Sequence, residues 1–262
     1  MPLSQDLSLT RWHDGQTETL VDHVAIEEPL QLVVDGHPLA VLMRTPGHDE
    51  ELAMGFLLTE GIITTIAQVK RIDTEGKKNH ALVFLADGVV LDLARLTRHL
   101  FSASSCGLCG KATIAAITTN HPPVPEGPTF ATAPLLRAPD LLRASQATFD
   151  KTGGLHASAL FSREGELLVT REDVGRHNAL DKVLGRALSD GLDLSTCFLL
   201  LSGRVSFELM QKALAGRIPL ITAISAPSSL AVEFAQASNQ TLLAFLRPPS
   251  FNIYAHGERL EG

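Results

Sequence analysis

Residues 197–246 read CFLLLSGRVSFELMQKALAGRIPLITAISAPSSLAVEFAQASNQTLLAFL. Short apolar runs at 197–201, 220–224 and 242–246 are separated by segments 207–215 and 229–237, whose apolar residues fall at helical spacing. An unbroken apolar run of this length suits a strand covered on both faces. Strand, helix, strand, helix, strand is the rhythm of crossover connections, which join neighbouring parallel strands. The stretch therefore predicts an α/β fold built on a largely parallel sheet with helices packed on it.

Upstream the same grammar continues. Arg176 to Ser189 carries Ala179, Leu180, Val183, Leu184, Ala187 and Leu188 on one stripe, and its charged residues, Lys182 among them, are assigned to the solvated side. Ala157 to Phe161 and Leu167 to Arg171 read as strands, and Asp140 to Lys151 as a helix. Residues 140–262 are thus expected to form a layered α/β/α domain. Six prolines at 122, 123, 125, 128, 134 and 139 mark 121–139 as a linker, because proline lacks the amide that a regular helix or central strand needs. Residues 1–120 read as an α+β portion. Strand-like spacing runs from Thr19 to Met43 with a hairpin turn at Asp35-Gly36, and a helix with acid in its first turn runs from His48 to Gly61. A second hairpin is expected from Ala81 to Leu93 about Asp87-Gly88.

Composition bounds the function. With 262 residues, 45% of them hydrophobic, the chain can fill a sizeable core. A net charge of -7 and a pI near 5.8 argue against a general nucleic-acid binder, which presents a basic face. Met1 to Arg11 lacks the order of a secretory signal, and the longest apolar run is far shorter than the roughly 20 residues a spanning helix needs. A cytoplasmic protein with no membrane partner is expected.

Ser104-Ser105-Cys106-Gly107-Leu108-Cys109-Gly110-Lys111 is the stretch richest in chemistry. A thiol becomes a nucleophile as thiolate, and its pKa falls near a helix N-terminus or a cation. Lys111 supplies the charge, and a helix opening at Ala112 would supply the dipole. The bland alternative is half a structural zinc site. Such a site wants four Cys or His ligands, and beyond this pair the chain offers only Cys197, within an apolar strand, and scattered histidines. Cys197 reads as an inert core thiol, and no permanent metal is expected.

Further polar motifs stand at strand ends, where α/β folds bind ligands. They are Gly153-Gly154-Leu155-His156-Ala157, Arg171-Glu172-Asp173-Val174-Gly175-Arg176-His177-Asn178, Ser202-Gly203-Arg204-Val205-Ser206, Ser225-Ala226-Pro227-Ser228-Ser229 and Phe245-Leu246-Arg247-Pro248-Pro249-Ser250. His156 is a candidate hydrogen-bond donor or proton carrier. Asp173 is a candidate to orient His177 or to cap the following helix. The serines at 202–206 and 225–229 are candidate N-caps, and beside Arg204 and Arg247 the same loops suit a phosphate-bearing ligand.

These motifs, in this order and together with Cys-Gly-Leu-Cys-Gly at 106–110, resemble the formate dehydrogenase accessory sulfurtransferase family from about the first hairpin to Asn252-Ile253-Tyr254. The resemblance implies a cytidine-deaminase-like fold and a homodimer. It also implies a sulfur relay from a cysteine desulfurase to the molybdenum bis(molybdopterin guanine dinucleotide) cofactor of the formate dehydrogenase catalytic subunit. On that resemblance Cys106 matches the persulfide-bearing cysteine, Cys109 an assisting thiol, and Phe245, Leu246, Arg247, Pro248, Pro249 and Ser250 the cofactor-binding segment. A rival from another class is a non-catalytic chaperone that binds and inserts the cofactor. A zinc nucleoside deaminase is disfavoured, because Ser158 stands where its His-Ala-Glu motif needs the general acid/base glutamate.

Overall fold

A computed structural model describes residues 2–91 and 121–261. The N-terminal portion opens with a long hairpin of β1 (Ser4–His13) and β2 (Gln16–Ala25). A second hairpin follows, β3 (Glu28–Val34) and β4 (His37–Arg44). Both turn on an Asp-Gly pair, Asp14-Gly15 and Asp35-Gly36, with positive φ at both residues; that backbone twist matches the twist of antiparallel strands. Helix α1 (Asp49–Thr59) carries Asp49, Glu50 and Glu51 in its first turn, where acid complements the helix dipole.

The expected second hairpin at 81–93 does not form. Instead β6 (His80–Leu85) lies between β3, to which it is parallel, and β5 (Val69–Asp73), to which it is antiparallel, in a sheet ordered β4-β3-β6-β5. Ala81, Val83 and Leu85 are buried, and this interior place satisfies both backbone edges. Residues 89–91 form no strand.

The proline-rich stretch also departs from its reading as linker. The short strand β7 (Phe130–Ala131) pairs with β14 (Leu260–Glu261), and helix α2 (Thr132–Ser145) begins at once, followed by α3 (Ala147–Thr152). Pro134 falls in the first turn, where its missing amide leaves no bond unmade. Pro139 lies inside the helix, whose buried residues Leu135, Ala138 and Leu142 hold it against the sheet despite the lost hydrogen bond.

The six-stranded sheet is ordered β13-β12-β11-β10-β8-β9. Its strands are β8 (His156–Phe161), β9 (Leu167–Asp173), β10 (Phe198–Leu201), β11 (Leu220–Ala223), β12 (Thr241–Arg247) and β13 (Ser250–Ala255). Only β10, β11 and β12 pair in parallel, and antiparallel pairings flank them on both sides, so the sheet is mixed rather than largely parallel. Alternation divides its side chains. Leu199, Leu201, Ile221 and Leu242 join the core under α4 (Arg176–Ser189), α5 (Phe207–Ala215) and α6 (Ser229–Ala237). Phe198, Leu200, Leu220 and Leu243 face α2 on the other side. This is the layered α/β/α arrangement the sequence predicts, with an α+β portion before it.

The two portions share one core: Leu30, Leu32, Ala81 and Val83 belong to the same buried cluster as Leu180, Leu184 and Leu199. Helices α1 and α4 carry that contact and cross at two glycines. A methyl group on Gly55 would fall 1.8 Å from the carbonyl oxygen of Asp181, and one on Gly185 1.9 Å from that of Glu51. Beside the crossing, Lys212 Nζ donates to Thr59 Oγ1 at 2.9 Å and to Asp181 Oδ2 at 2.8 Å, tying α1, α4 and α5 together. No helix among the described residues is long and apolar enough to cross a membrane.

Candidate functional site at the strand ends

The mixed topology brings the polar motifs to one rim. Because β8 runs antiparallel to β10, the start of β8 at His156 lies at the carboxyl end of β10. His156 pairs in turn with Asp173, the last residue of β9. The loops leaving β10, β11 and β12 then run side by side. Ile224 N donates to Leu201 O at 3.0 Å, Val205 N to Ala226 O at 3.1 Å, and Phe245 N to Ser225 O at 3.2 Å. Ser202 extends the β8 pairing, accepting from Ala157 N through Oγ at 2.8 Å. A crevice beyond the carboxyl ends of parallel strands is where open α/β sheets bind ligands.

The Arg171–Asn178 motif divides by task. Arg171 forks onto Glu51 of α1 at 2.5 and 2.7 Å. Burial of Glu51 opposes its ionisation, but the hydrogen bonds and charges of Arg171 and His48 outweigh burial and hold the carboxyl down to about 2. Glu172 accepts from the amides of Thr148 and Phe149 at 3.1 and 2.8 Å, where α3 begins. Asp173 is fully buried and accepts from Thr45 N (3.1 Å), Gly175 N (2.8 Å), Asn178 Nδ2 (3.0 Å) and Lys182 Nζ (2.7 Å). It binds the turn between β4 and α1 to the turn between β9 and α4, and it is neither a partner of His177 nor the N-cap of α4, which is Gly175. Lys182, expected on a solvated face, is 1% exposed and also donates to Thr45 O at 2.8 Å. Its helix turns that face toward the N-terminal portion, not toward water.

Arg176 and His177 are left to face the rim. His177 Nε2 pairs with Glu208 Oε2 at 2.9 Å, with Ser206 Oγ 3.5 Å away. Arg176 Nε is buried without a hydrogen-bond partner among the described residues. His156 is half-buried, and its pKa is pushed below the ordinary imidazole value, first by burial and then by the charges of Arg176 and His177; Asp173 opposes them, and Arg204 adds a smaller downward push. The loop after β10 lies flat on this ring: a methyl group at Gly203 would stand 3.1 Å from His156 Nδ1. A larger residue there would press on the ring, which would have to yield by a few tenths of an ångström.

Of the serines read as N-caps, Ser228 caps α6, its Oγ accepting from Ala231 N at 3.2 Å. Ser206 occupies the N-cap position of α5 without a side-chain cap bond. In the 245–250 segment, Phe245 sits at a register shift of β12 with φ 52° and its side chain exposed; positive φ is unusual for a bulky residue. Leu246 points into the core beneath α2. Arg247, Pro248, Pro249 and Ser250 are exposed around the turn into β13. Cys106 and Cys109 lie outside the described residues. Cys197 is buried just before β10, and burial raises its thiol pKa, consistent with an inert thiol. Sequence reading missed Glu208, the partner of His177, and Thr45, because their partners lie far away along the chain.

The FdhD/NarQ family model matches residues 25–261. The sulfur carrier protein FdhD of Streptomyces avermitilis is 49% identical over 262 residues, with 95% of this chain and 93% of that one covered. The sulfur carrier protein FdhD of Mycobacterium tuberculosis is 46% identical over 259 residues, covering 94% of each. A crystal structure of a protein described as a formate dehydrogenase accessory protein, from Desulfotalea psychrophila, superposes with a TM-score of 0.80 at 25% identity over 99% of this chain and all of that one.

Proposed function

The chain belongs to the FdhD/NarQ family, and on that premise we propose that it carries sulfur as a persulfide on Cys106 and delivers it to the molybdenum bis(molybdopterin guanine dinucleotide) destined for formate dehydrogenase. The observation that carries the sulfur half of the reading is close similarity to named sulfur carrier proteins along nearly the whole chain, with Cys106-Gly-Leu-Cys109 as the paired thiols of this sequence. Cys106 thiolate attacks the outer sulfur of a cysteine desulfurase persulfide. A new sulfur–sulfur bond forms on Cys106, the donor's bond breaks, and the donor leaves as thiolate.

Release has to deliver sulfur at the oxidation level of sulfide, which requires two electrons. Cys109 thiolate supplies them by attacking Sγ of Cys106, forming a Cys106–Cys109 disulfide as the outer sulfur departs as hydrosulfide. A cellular dithiol then returns both cysteines to the reduced state. The cofactor is cargo here. The rim residues suited to its phosphates are Arg176, Arg204 and Arg247, with the loops at 202–206 and 225–229, and Phe245 offers an exposed ring to a planar base. The protein works as a cytoplasmic homodimer.

Complementation separates this from a chaperone that only binds and inserts the cofactor. In cells lacking the endogenous carrier, Cys106→Ala protein expressed at wild-type level should leave formate dehydrogenase inactive, and retained activity would favour the chaperone.

A further inference from the structure

We propose that His156, Arg176 and Arg204 form a subsite for a diphosphate diester, and that arrival of this anion brings a proton onto His156. The inference rests on the reading of the rim as the place of a nucleotide-bearing cofactor, and it adds which side chains take the diphosphate and what they do with protons.

The cations have no described counter-charge. Neither Arg176 nor Arg204 forms an ion pair among the described residues, and Arg176 Nε is buried without a hydrogen-bond partner. The neighbouring acids already have cationic partners of their own. Asp173 is filled by Thr45, Gly175, Asn178 and Lys182, and Glu208 pairs with His177 through Oε2, while its Oε1 is buried without a hydrogen-bond partner among the described residues. His156 therefore lies in the field of Arg176 and His177 from α4 and of Arg204 from the loop after β10, opposed by Asp173 of β9, which is itself paired with Lys182. Gly203 brings the main chain against the ring, so burial and surrounding positive charge both disfavour the imidazolium. A ligand carrying two negative charges between the guanidiniums reverses the second effect. The pKa of His156 then rises, and by linkage affinity must strengthen as pH falls through the window between its free and bound values. Asn or Gln at this position could hydrogen-bond the anion but could not take up a proton.

The test uses the full-length chain and diguanosine 5′,5′-diphosphate, whose phosphodiester oxygens do not titrate near neutrality. Calorimetric titration at pH 6.5 in two buffers of different ionisation enthalpy gives the protons taken up per ligand bound. Wild type should bind with net proton uptake and more tightly at pH 6 than at pH 8. His156→Gln should bind with uptake abolished and the pH dependence flattened. Arg204→Gln, an exposed position chosen to spare the fold, should weaken binding roughly ten- to hundred-fold, the worth of a charged hydrogen bond. Binding by wild type without uptake, or uptake that persists in His156→Gln, overturns the subsite and leaves the cofactor reading standing. No binding by wild type overturns both.

Discussion

Replacing Lys182 by Met keeps most of the aliphatic stem and removes one buried charge. Lys182 Nζ lies 2.7 Å from Asp173 Oδ2 and 2.8 Å from Thr45 O, with its side chain 1% and that of Asp173 0% exposed. The variant leaves Asp173 as a buried carboxylate supported only by Thr45 N, Gly175 N and Asn178 Nδ2, and it leaves the Thr45 carbonyl without this donor. Breaking a buried pair from one side costs about 3–5 kcal/mol. For a chain of this size each kcal/mol shifts the melting midpoint by roughly 2–4 °C, so a fall of about 6–20 °C is expected. Removing both partners, as Asp173→Leu with Lys182→Met, eliminates the stranded charge, and the double variant should be less destabilised than the sum of the singles. Urea unfolding followed by circular dichroism measures all three. A loss under about 1 kcal/mol for Lys182→Met, the range of exposed pairs, or strict additivity in the cycle, would refute the argument that this pair fastens the β4–α1 turn to the β9–α4 turn.

Gly55→Ala and Gly185→Ala should each destabilise by about 1–3 kcal/mol or more, although alanine is the better helix former, because the added methyl meets backbone rather than a movable side chain; thermal melts check this, and a stabilised variant would show that the two helices can part freely. Glu51, held down to about 2 from 4.5, contributes stability that is present above its unfolded value and is lost as pH falls through the folded one. Glu51→Gln should therefore be less stable than wild type at pH 7, and the gap should narrow steadily in denaturant titrations between pH 4.5 and pH 2.5.

Helices 176–189, 207–215 and 229–237 agree with the structure to the residue because each has a sustained apolar stripe and a clear start. Strand direction is different: β8, β9 and β13 are as apolar in places as β10 and β11, and nothing local in a run such as Ala157 to Phe161 states whether it will run with or against its neighbour. Val69–Asp73, VKRID, escaped notice because an edge strand with only Val69 and Ile72 apolar looks like a loop. Pro139 misled because tertiary packing of Leu135, Ala138 and Leu142 overrides its local preference. Lys182 misled for a related reason: a charge reads as solvated unless its partner is known, and Asp173 and Thr45 come from other elements. The rim was legible as a set of separate motifs at strand ends. Their convergence, the pairing of His177 with Glu208, and the commitment of Arg171, Glu172 and Asp173 to holding helices in place were not, since each depends on contacts made only after folding.

The most direct test of sulfur carriage is intact-protein mass spectrometry after incubation with a cysteine desulfurase and cysteine, comparing wild type with Cys106→Ala and Cys109→Ala. The account predicts a reducible adduct of one sulfur atom on wild type, absent from Cys106→Ala and accumulating on Cys109→Ala, which can accept sulfur but cannot release it. No adduct on wild type while the desulfurase is turning over, or an adduct undiminished in Cys106→Ala, would contradict it.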